Sequence, residues 1–195
     1  MRLPLTELQQ RIADYLRRPG ETAPLPDTDD AGHAQWAAVA VILVPDPDSV
    51  LLIRRAERRG DPWSGHVGLP GGRVEPSDAD LQATAIRETA EEVGVSLPHQ
   101  GLLGALPDVW PRTPTPRLLV VRPFVFALPA RPPVTLSGEV AEAFWVSFAD
   151  LSRPAVYRET EFRLRGEDRV FPAYHLSQGV VWGITERILT SVLTV

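Results

Sequence analysis

The sequence predicts an α/β protein whose strands are interrupted by one central helix and closed by a second helix. Three patterns support this fold class: an apolar run over 37–44, a helical pattern over 80–93 and an amphipathic pattern over 179–193. Because the helices do not alternate with strands one for one, the layout indicates an α/β sandwich or an α+β fold rather than repeated βαβ units. A chain of 195 residues suits one domain with a sizeable core.

The composition excludes several classes of protein. With 44% hydrophobic and 23% charged residues, the chain has globular proportions, which excludes wholesale disorder. No apolar run approaches the roughly 20 residues needed to span a bilayer, and the N-terminus lacks the apolar stretch of a secretory signal. Without cysteine, neither a disulfide framework nor a cysteine-based zinc site can form. We therefore expect a cytoplasmic protein with no membrane partner.

The charge balance bears on the partners. The formal net charge of −5 comes from 25 acidic and 20 basic residues, and every basic residue is Arg. A mildly acidic chain lacks the basic surface that non-specific nucleic-acid binding requires. We therefore expect a small-molecule partner and no nucleic acid, while the oligomeric state stays open, with a homodimer among the alternatives.

The N-terminal region predicts a short amphipathic helix over 5–17, with Thr6 as its N-cap. Residues 19–33 are rich in Pro, Asp, Gly and Thr and predict an extended connector. We therefore divide the chain into an N-terminal helix with its connector, 1–35, and a main domain, 36–195.

The main domain begins with a β pattern. The apolar runs 37–44 and 49–53 flank a Pro-Asp-Pro-Asp turn, which predicts a hairpin. A polar loop with three glycines follows over 54–68. Further strands are predicted at 102–106, 118–128 and 143–146, and the amphipathic pattern over 179–193 predicts the closing helix.

A helix over Asp80–Val93, at about 100° per residue, places Glu88, Glu91 and Glu92 on one face. Ser77 or Asp78 suits its N-cap, and Gly94 suits its C-cap. The opposite face carries the predicted core stripe, which consists of Ala83, Ile86, Ala90 and Val93.

Three neighbouring carboxylates repel one another, so this face needs a compensating cation. Arg87 is one candidate, and a hard divalent cation such as Mg²⁺, which takes oxygen ligands and accompanies phosphate, is the other. The turn Leu69-Pro70-Gly71-Gly72 has a backbone that can approach a metal or phosphate closely. A solvated acidic face is the alternative for the helix alone, and the added Arg87, glycine turn and Gly94 favour the metal.

The segment from Gly72 to Val95 resembles the Nudix box, G-x5-E-x7-R-E-U-x-E-E-x-G-U, in which U is a bulky apolar residue. Asp78 replaces the first glutamate, eight residues instead of seven separate it from the arginine, and Thr89 occupies a U position. The resemblance implies a Nudix-type α/β/α sandwich with a mixed central sheet. The matching residues are Gly72, Arg87, Glu88, Glu91, Glu92, Gly94 and Val95.

The preceding segment LLIRRAERRGDPWSGHVGLPGG resembles the signature L-L-T-x-R-[SA]-x3-R-x3-G-x3-F-P-G-G of the coenzyme A pyrophosphatase-like branch of this family. Ile53 stands for Thr and Leu69 for Phe, and Gly60 falls at the second arginine position, where Arg58 or Arg59 could serve instead. The agreeing residues are Leu51, Leu52, Arg55, Ala56, Gly65, Pro70, Gly71 and Gly72.

The resemblance implies Mg²⁺-dependent or Mn²⁺-dependent hydrolysis of the pyrophosphate bond of coenzyme A or its derivatives, giving 3′,5′-ADP and (acyl)phosphopantetheine. ADP-ribose, NADH or a nucleoside triphosphate are alternative substrates, and a non-catalytic nucleotide-binding module is the alternative from another class. Trp63 and Trp110 are candidates for stacking on adenine, and local packing is the alternative interpretation of both.

The resemblance also implies roles for individual residues. Glu139 and Glu142 precede Trp145, where many family members carry a further metal ligand or general base, and we favour Glu139. The implied catalytic residues are Arg87, Glu88, Glu91, Glu92 and Glu139; the metal ligands are Glu88, Glu91, Glu92 and the Gly71 carbonyl; the substrate-binding residues are Arg55, Arg58, Gly71 and Gly72.

Overall fold

The computed structural model describes residues 4–17, 34–58, 64–112, 118–164 and 166–195. The helices within these ranges are α1 (Glu7–Leu16), α2 (Leu81–Val93), α3 (Phe148–Leu151) and α4 (Gly183–Leu193). The strands are β1 (Gln35–Val44), β2 (Ser49–Arg55), β3 (Val67–Gly68), β4 (Gly71–Arg73), β5 (Leu102–Ala105), β6 (Leu119–Ala127), β7 (Val140–Ser147), β8 (Tyr157–Leu164), β9 (Glu167–Leu176) and β10 (Gly179–Trp182).

The apolar run of the sequence becomes β1, which lies inside a seven-stranded mixed sheet. Five strands follow the order β3-β2-β1-β6-β5, and the other two, β4 and β7, pair with β1 and β2. β1 runs parallel to β6 and antiparallel to both β2 and β4, while β7 pairs with the other strand of the hairpin, β2. Leu43 and Val44 pair with β2 across the turn, which confirms the predicted hairpin. The first half of β1 is thereby left free to pair with β4, which brings the glycine turn into the sheet.

Successive residues of β1 point to opposite faces of the sheet and enter two separate core clusters. On one face Val41 packs in a cluster with Ile12 of α1 and Ile188 of α4. On the other face Ile42 packs in a cluster with Ala85 of α2. Because both faces of β1 are covered, the strand is apolar along nearly its whole length, and the predicted α/β/α sandwich is confirmed.

A second sheet, with the order β10-β9-β8, was not predicted. Most side chains of β8 are exposed, and its sequence YRETEFRL lacks the apolar run that marks a buried strand. The prediction of one helix over 179–193 was wrong at its start, because Gly179–Trp182 pairs with β9 and α4 begins at Gly183. The positive φ of 70° at Gly183 marks the change from strand to helix.

The helix α1 is confirmed, with Thr6 as its N-cap in a capping box with Gln9. Ile12 is fully buried, and the Thr6 hydroxyl donates a hydrogen bond to Asp48, so the helix packs on the sheet and the hairpin turn. The division at residue 35 stays a prediction, as does the cytoplasmic location. No helix in the described part of the chain is both long and apolar enough to cross a membrane.

Candidate active site

The helix α2 carries the carboxylates and is capped at both ends. The Asp80 side chain accepts a hydrogen bond of 2.7 Å from the Ala83 amide, so Asp80 is the N-cap, and the prediction of Ser77 or Asp78 was wrong. Gly94 takes the left-handed conformation at φ 68° and ends the helix as predicted.

The buried face of α2 differs from the predicted stripe, because Ala90 is exposed and Ala83 is half-buried. The Thr89 hydroxyl donates to the Ala85 carbonyl at 2.7 Å, which satisfies its polar group and allows burial. The helix is therefore rotated so that one of the three glutamates enters the interior. The fully buried residues are Thr84, Ala85, Thr89, Glu92 and Val93.

Asp78 fixes the arginine of the box. Its carboxylate accepts two hydrogen bonds from the Arg87 guanidinium, at 2.9 and 3.0 Å, and one from the Thr84 hydroxyl at 2.9 Å. The Arg87 hydrogen bonds hold the pKa of Asp78 well below its usual range, and the Asp78 hydrogen bonds raise the pKa of Arg87. This bidentate pair is the geometry that a carboxylate and a guanidinium favour.

Arg87 uses its remaining donors on the acidic face and on the backbone. It donates to Glu88 at 3.0 Å, to Glu91 at 3.1 Å and to the Arg73 carbonyl at 3.1 Å. The Glu91 side chain is 59% exposed, whereas that of Glu88 is 17% exposed. Arg87 thus ties α2 to β4 and orients two of the three glutamates.

The two glycines of the turn let the β4 backbone lie against the carboxylates. The Gly71 amide donates to Glu92 at 2.9 Å, and its φ of 152° is open only to glycine without strain. A Cβ atom on Gly71 would overlap the Ala38 carbonyl, and one on Gly72 would overlap the Glu88 carboxylate. Position 71 therefore requires glycine, whereas a side chain at position 72 would displace the Glu88 carboxylate.

Glu92 is a buried acid that accepts from one backbone amide, with the Arg55 guanidinium at 3.6 Å. It is 4% exposed, and burial raises the pKa of its carboxyl to about 7, with Glu88 and Glu139 adding to the rise. The Gly71 hydrogen bond and the Arg55 charge oppose that rise in pKa, although Arg55 lies 3.6 Å from the carboxylate. Burial also raises the pKa of Glu88.

The two candidate glutamates from the later loop have different surroundings. Glu139 pairs with Arg58 at 3.0 Å, and its charge contributes to the raised pKa of Glu92. Glu142 pairs with Arg54 at 3.0 Å on neighbouring strands. The charge of Glu139 is therefore felt at Glu92, while its carboxylate is paired with Arg58. Arg59, Gly60 and Trp63 lie outside the described residues.

A cavity of about 210 Å³ opens beside Glu92, because Arg55 and Gly71 form part of its wall. His66, Phe171 and Trp182 supply its aromatic lining, while Trp110, a predicted stacking candidate, offers its carbonyl to Arg187 at 2.7 Å. Sequence reasoning missed this wall, since it comes from β9, β10 and α4, far along the chain from the box.

The comparisons with known proteins agree with this geometry. The family model of the NUDIX domain matches residues 34–165. The chain belongs to the Nudix family. The crystal structure of a MutT/nudix family protein from Enterococcus faecalis covers 97% of this chain, which spans 73% of that protein, with a TM-score of 0.60 and 19% identity. That likeness shows the Nudix fold, and the chain is a Nudix hydrolase, as predicted.

Two of the relatives similar to this Nudix chain are longer proteins. An uncharacterized protein of Schizosaccharomyces pombe is 39% identical over 137 residues, which are 66% of this chain and 40% of that protein. The mitochondrial coenzyme A diphosphatase NUDT8 of Homo sapiens is 31% identical over 157 residues, which are 76% of this chain and 65% of that protein. The chain therefore spans less than two thirds of either relative.

Nudix hydrolases use divalent metal ions, and the residues of this site fit such an ion. Within the described ranges no three acidic, His or Cys side chains are arranged closely enough to hold a metal by themselves. Mg²⁺, however, is usually held by one or two carboxylates, with water and substrate phosphate completing its shell. Glu88 and Glu92 are two carboxylates whose burial opposes ionisation, and a cation between them would offset that cost.

Proposed function

We propose that this Nudix hydrolase cleaves the pyrophosphate bond of coenzyme A or its derivatives, with Mg²⁺ or Mn²⁺, releasing 3′,5′-ADP and (acyl)phosphopantetheine. The observation that carries the proposal is the buried Glu92, held by the Gly71 amide and facing Arg55 at the edge of a cavity. The substrate is supported by the partial signature around Arg55 and by the similarity to a coenzyme A diphosphatase.

In the reaction a water oxygen bonds to one phosphorus of the pyrophosphate, and the bond from that phosphorus to the bridging oxygen breaks. Two phosphate monoesters form, and a proton of the water must be accepted. Glu139 is the proposed acceptor, because its charge is felt at Glu92 and its carboxylate is half-exposed. Release from Arg58 would free Glu139 for this step and Arg58 for a phosphate oxygen.

The carboxylates of Glu88, Glu91 and Glu92 and the Gly71 carbonyl are the proposed metal ligands. A bound divalent ion would neutralise charge on the phosphoryl oxygens and lower the pKa of water. Arg87 keeps Glu88 in position by donating to it while Asp78 holds the other side of the guanidinium. Arg55 and the Gly71–Gly72 backbone are the proposed contacts to the pyrophosphate, since both border the carboxylates.

A substrate panel tests the proposal. The purified protein is incubated with Mg²⁺ and coenzyme A, ADP-ribose, NADH or a nucleoside triphosphate, and the products are identified by mass. We expect 3′,5′-ADP from coenzyme A at the highest kcat/KM, and a loss of roughly 100-fold or more in Glu88→Gln. Glu159→Gln, an exposed glutamate on β8, is the matched control and retains activity.

Two outcomes of the panel would count against the proposal. Faster cleavage of another substrate than of coenzyme A would overturn the proposed substrate, while the proposed pyrophosphate hydrolysis would stand. No cleavage of any compound, by a protein that unfolds cooperatively on heating, would overturn the enzymatic proposal itself.

A further inference from the structure

Besides Arg55, two further arginines line the cavity beside Glu92. They are Arg112 and Arg187 of α4, and they form a cationic wall. Arg187 is half-buried and donates to the Trp110 carbonyl at 2.7 Å, which fixes its guanidinium at the wall. Burial lowers the pKa of Arg187, and the neighbouring charge of Arg112 lowers it further. Two like charges held near each other favour an anion between them.

The acids around this wall do not neutralise it. Within the described ranges no carboxylate pairs with Arg112 or Arg187 within 4.0 Å, and Glu186 is the acid whose charge reaches Arg187. Glu186 is 3% exposed, and its Oε1 atom accepts hydrogen bonds of 2.9 Å from Tyr157 and Thr190. The charge of Glu186 offsets part of that of Arg187, and two guanidiniums beside one carboxylate leave the wall with a net positive charge.

The arginines nearer the box differ from this pair. Arg54 pairs with Glu142, Arg58 pairs with Glu139, and Arg55 faces Glu92. These guanidiniums lie among carboxylates that belong to the proposed metal site or its margin. A second anionic group of the substrate would meet less repulsion at Arg112 and Arg187.

The same cavity also has apolar and aromatic lining. Trp182 and Phe171 line it, and the Trp182 ring stacks on Phe162 with centroids 4.4 Å apart and an interplanar angle of 21°. Such packing holds the indole rigidly, and a rigid aromatic surface suits a nucleobase.

We propose that Arg112 and Arg187 bind a phosphate monoester of the substrate that is separate from the scissile pyrophosphate. This inference rests on the proposed function, in which that group is the 3′-phosphate of coenzyme A. The two arginines would then select 3′-phosphorylated adenine nucleotides over their dephosphorylated counterparts. Guanidinium forks suit this role, because they donate in pairs to phosphate oxygens.

The kinetic test compares coenzyme A with 3′-dephospho-coenzyme A. In Arg112→Gln and in Arg187→Gln, we expect the ratio of kcat/KM for the two substrates to fall roughly tenfold, through KM for coenzyme A. Arg153→Gln, on an exposed pair with Asp150, is the control and keeps the wild-type ratio. An unchanged ratio in Arg112→Gln, which alters an exposed side chain, would overturn the inference even if Arg187→Gln fails to fold.

A binding test separates this inference from the proposed activity. Calorimetry measures 3′,5′-ADP and 5′-AMP binding to the wild-type protein and to Arg112→Gln. We expect the wild type to bind 3′,5′-ADP more tightly and Arg112→Gln to lose that preference. The preference without cleavage of coenzyme A would sink the proposed function alone, whereas cleavage without the preference would sink the phosphate site alone.

Discussion

Asp78 and Glu92 are two acids with similarly inaccessible side chains and opposite electrostatics. Their side chains are 4% and 5% exposed, yet the pKa of Asp78 lies well below its usual range and that of Glu92 rises to about 7. Asp78 receives a bidentate guanidinium, whereas Glu92 receives one amide and a guanidinium 3.6 Å away. The Arg87 hydrogen bonds outweigh the cost of desolvation at Asp78, whereas desolvation outweighs the Gly71 amide and the Arg55 charge at Glu92.

This difference separates an acid that is paired within the protein from the acid that is a proposed metal ligand. Asp78 is neutralised within the protein and serves to hold Arg87. Glu92 is left undercompensated at the edge of a cavity, which is the condition under which a carboxylate gains most from an external cation. Substitution of each acid by its amide separates the two roles, since the shape of the side chain is kept.

The largest expected effect is the loss of activity in Glu92→Gln. The amide oxygen can still accept from Gly71, so the fold persists, but the negative charge for the cation is gone. We expect kcat with Mg²⁺ to fall roughly 100-fold or more, while the circular dichroism spectrum stays as in the wild type and unfolding remains cooperative. Near-wild-type turnover in Glu92→Gln would remove Glu92 from the proposed metal site.

Asp78→Asn is expected to act first on stability. An amide nitrogen cannot accept from the guanidinium, and Arg87 would keep its charge without its bidentate partner. Because the pair is mostly buried, the free energy of unfolding at pH 7 should fall by about 3 kcal/mol in urea titrations. Asp168→Asn, whose partner Arg163 lies 3.5 Å away on exposed strands, is the control and should change it by less than about 0.5 kcal/mol.

Equal stability losses in Asp78→Asn and Asp168→Asn would contradict the structural role of Asp78. The same measurement as a function of pH carries a further check. The pKa of Asp78 is depressed in the folded state, so its contribution is present above the ordinary value of 3.8 and is lost as the pH falls below it.

The sequence could predict the box because its information is local. Helical spacing, the Gly94 cap and the adjacent Arg87 follow from residues close together in the chain. The rotation of α2 could not be predicted, because it depends on which face the sheet covers, and the satisfied Thr89 hydroxyl could not be foreseen. The carboxylates were therefore predicted to share a solvent face, whereas Glu92 lies inside.

The cavity was beyond sequence reasoning for a related reason. Phe171, Trp182 and Arg187 line the same cavity as Arg55 and Gly71, which lie more than 95 positions earlier in the chain. The spacing of these residues in the sequence does not reveal that they are close together. β8 pairs with β9 and has mostly exposed side chains, so the hydrophobic alternation that would mark β8 is weak. The assignment of individual catalytic and metal residues stays a prediction that the substitutions above test.

The smallest expected effect is the pH dependence of the metal-free protein. The pKa of Glu92 is about 7 in the folded state and 4.5 ordinarily, so the folded state binds its proton more tightly. Stability from this group is fully present below pH 4.5 and is lost as the pH rises towards 7. Glu92→Gln has no such proton to lose, and its free energy of unfolding should exceed that of the wild type by about 2 kcal/mol at pH 8 in a chelator.

The comparison between pH 5 and pH 8, with and without Mg²⁺, shows which acid the cation meets. At pH 5 most of the Glu92 carboxyl is protonated, so wild type and Glu92→Gln should unfold at similar urea concentrations. At pH 8 Mg²⁺ should stabilise the wild type and reduce the difference in free energy of unfolding between Glu92→Gln and the wild type. A cation would then replace the missing proton as the partner of the buried charge. Equal stabilisation of Glu92→Gln by Mg²⁺ would instead place the cation on the exposed acids, Glu91 among them.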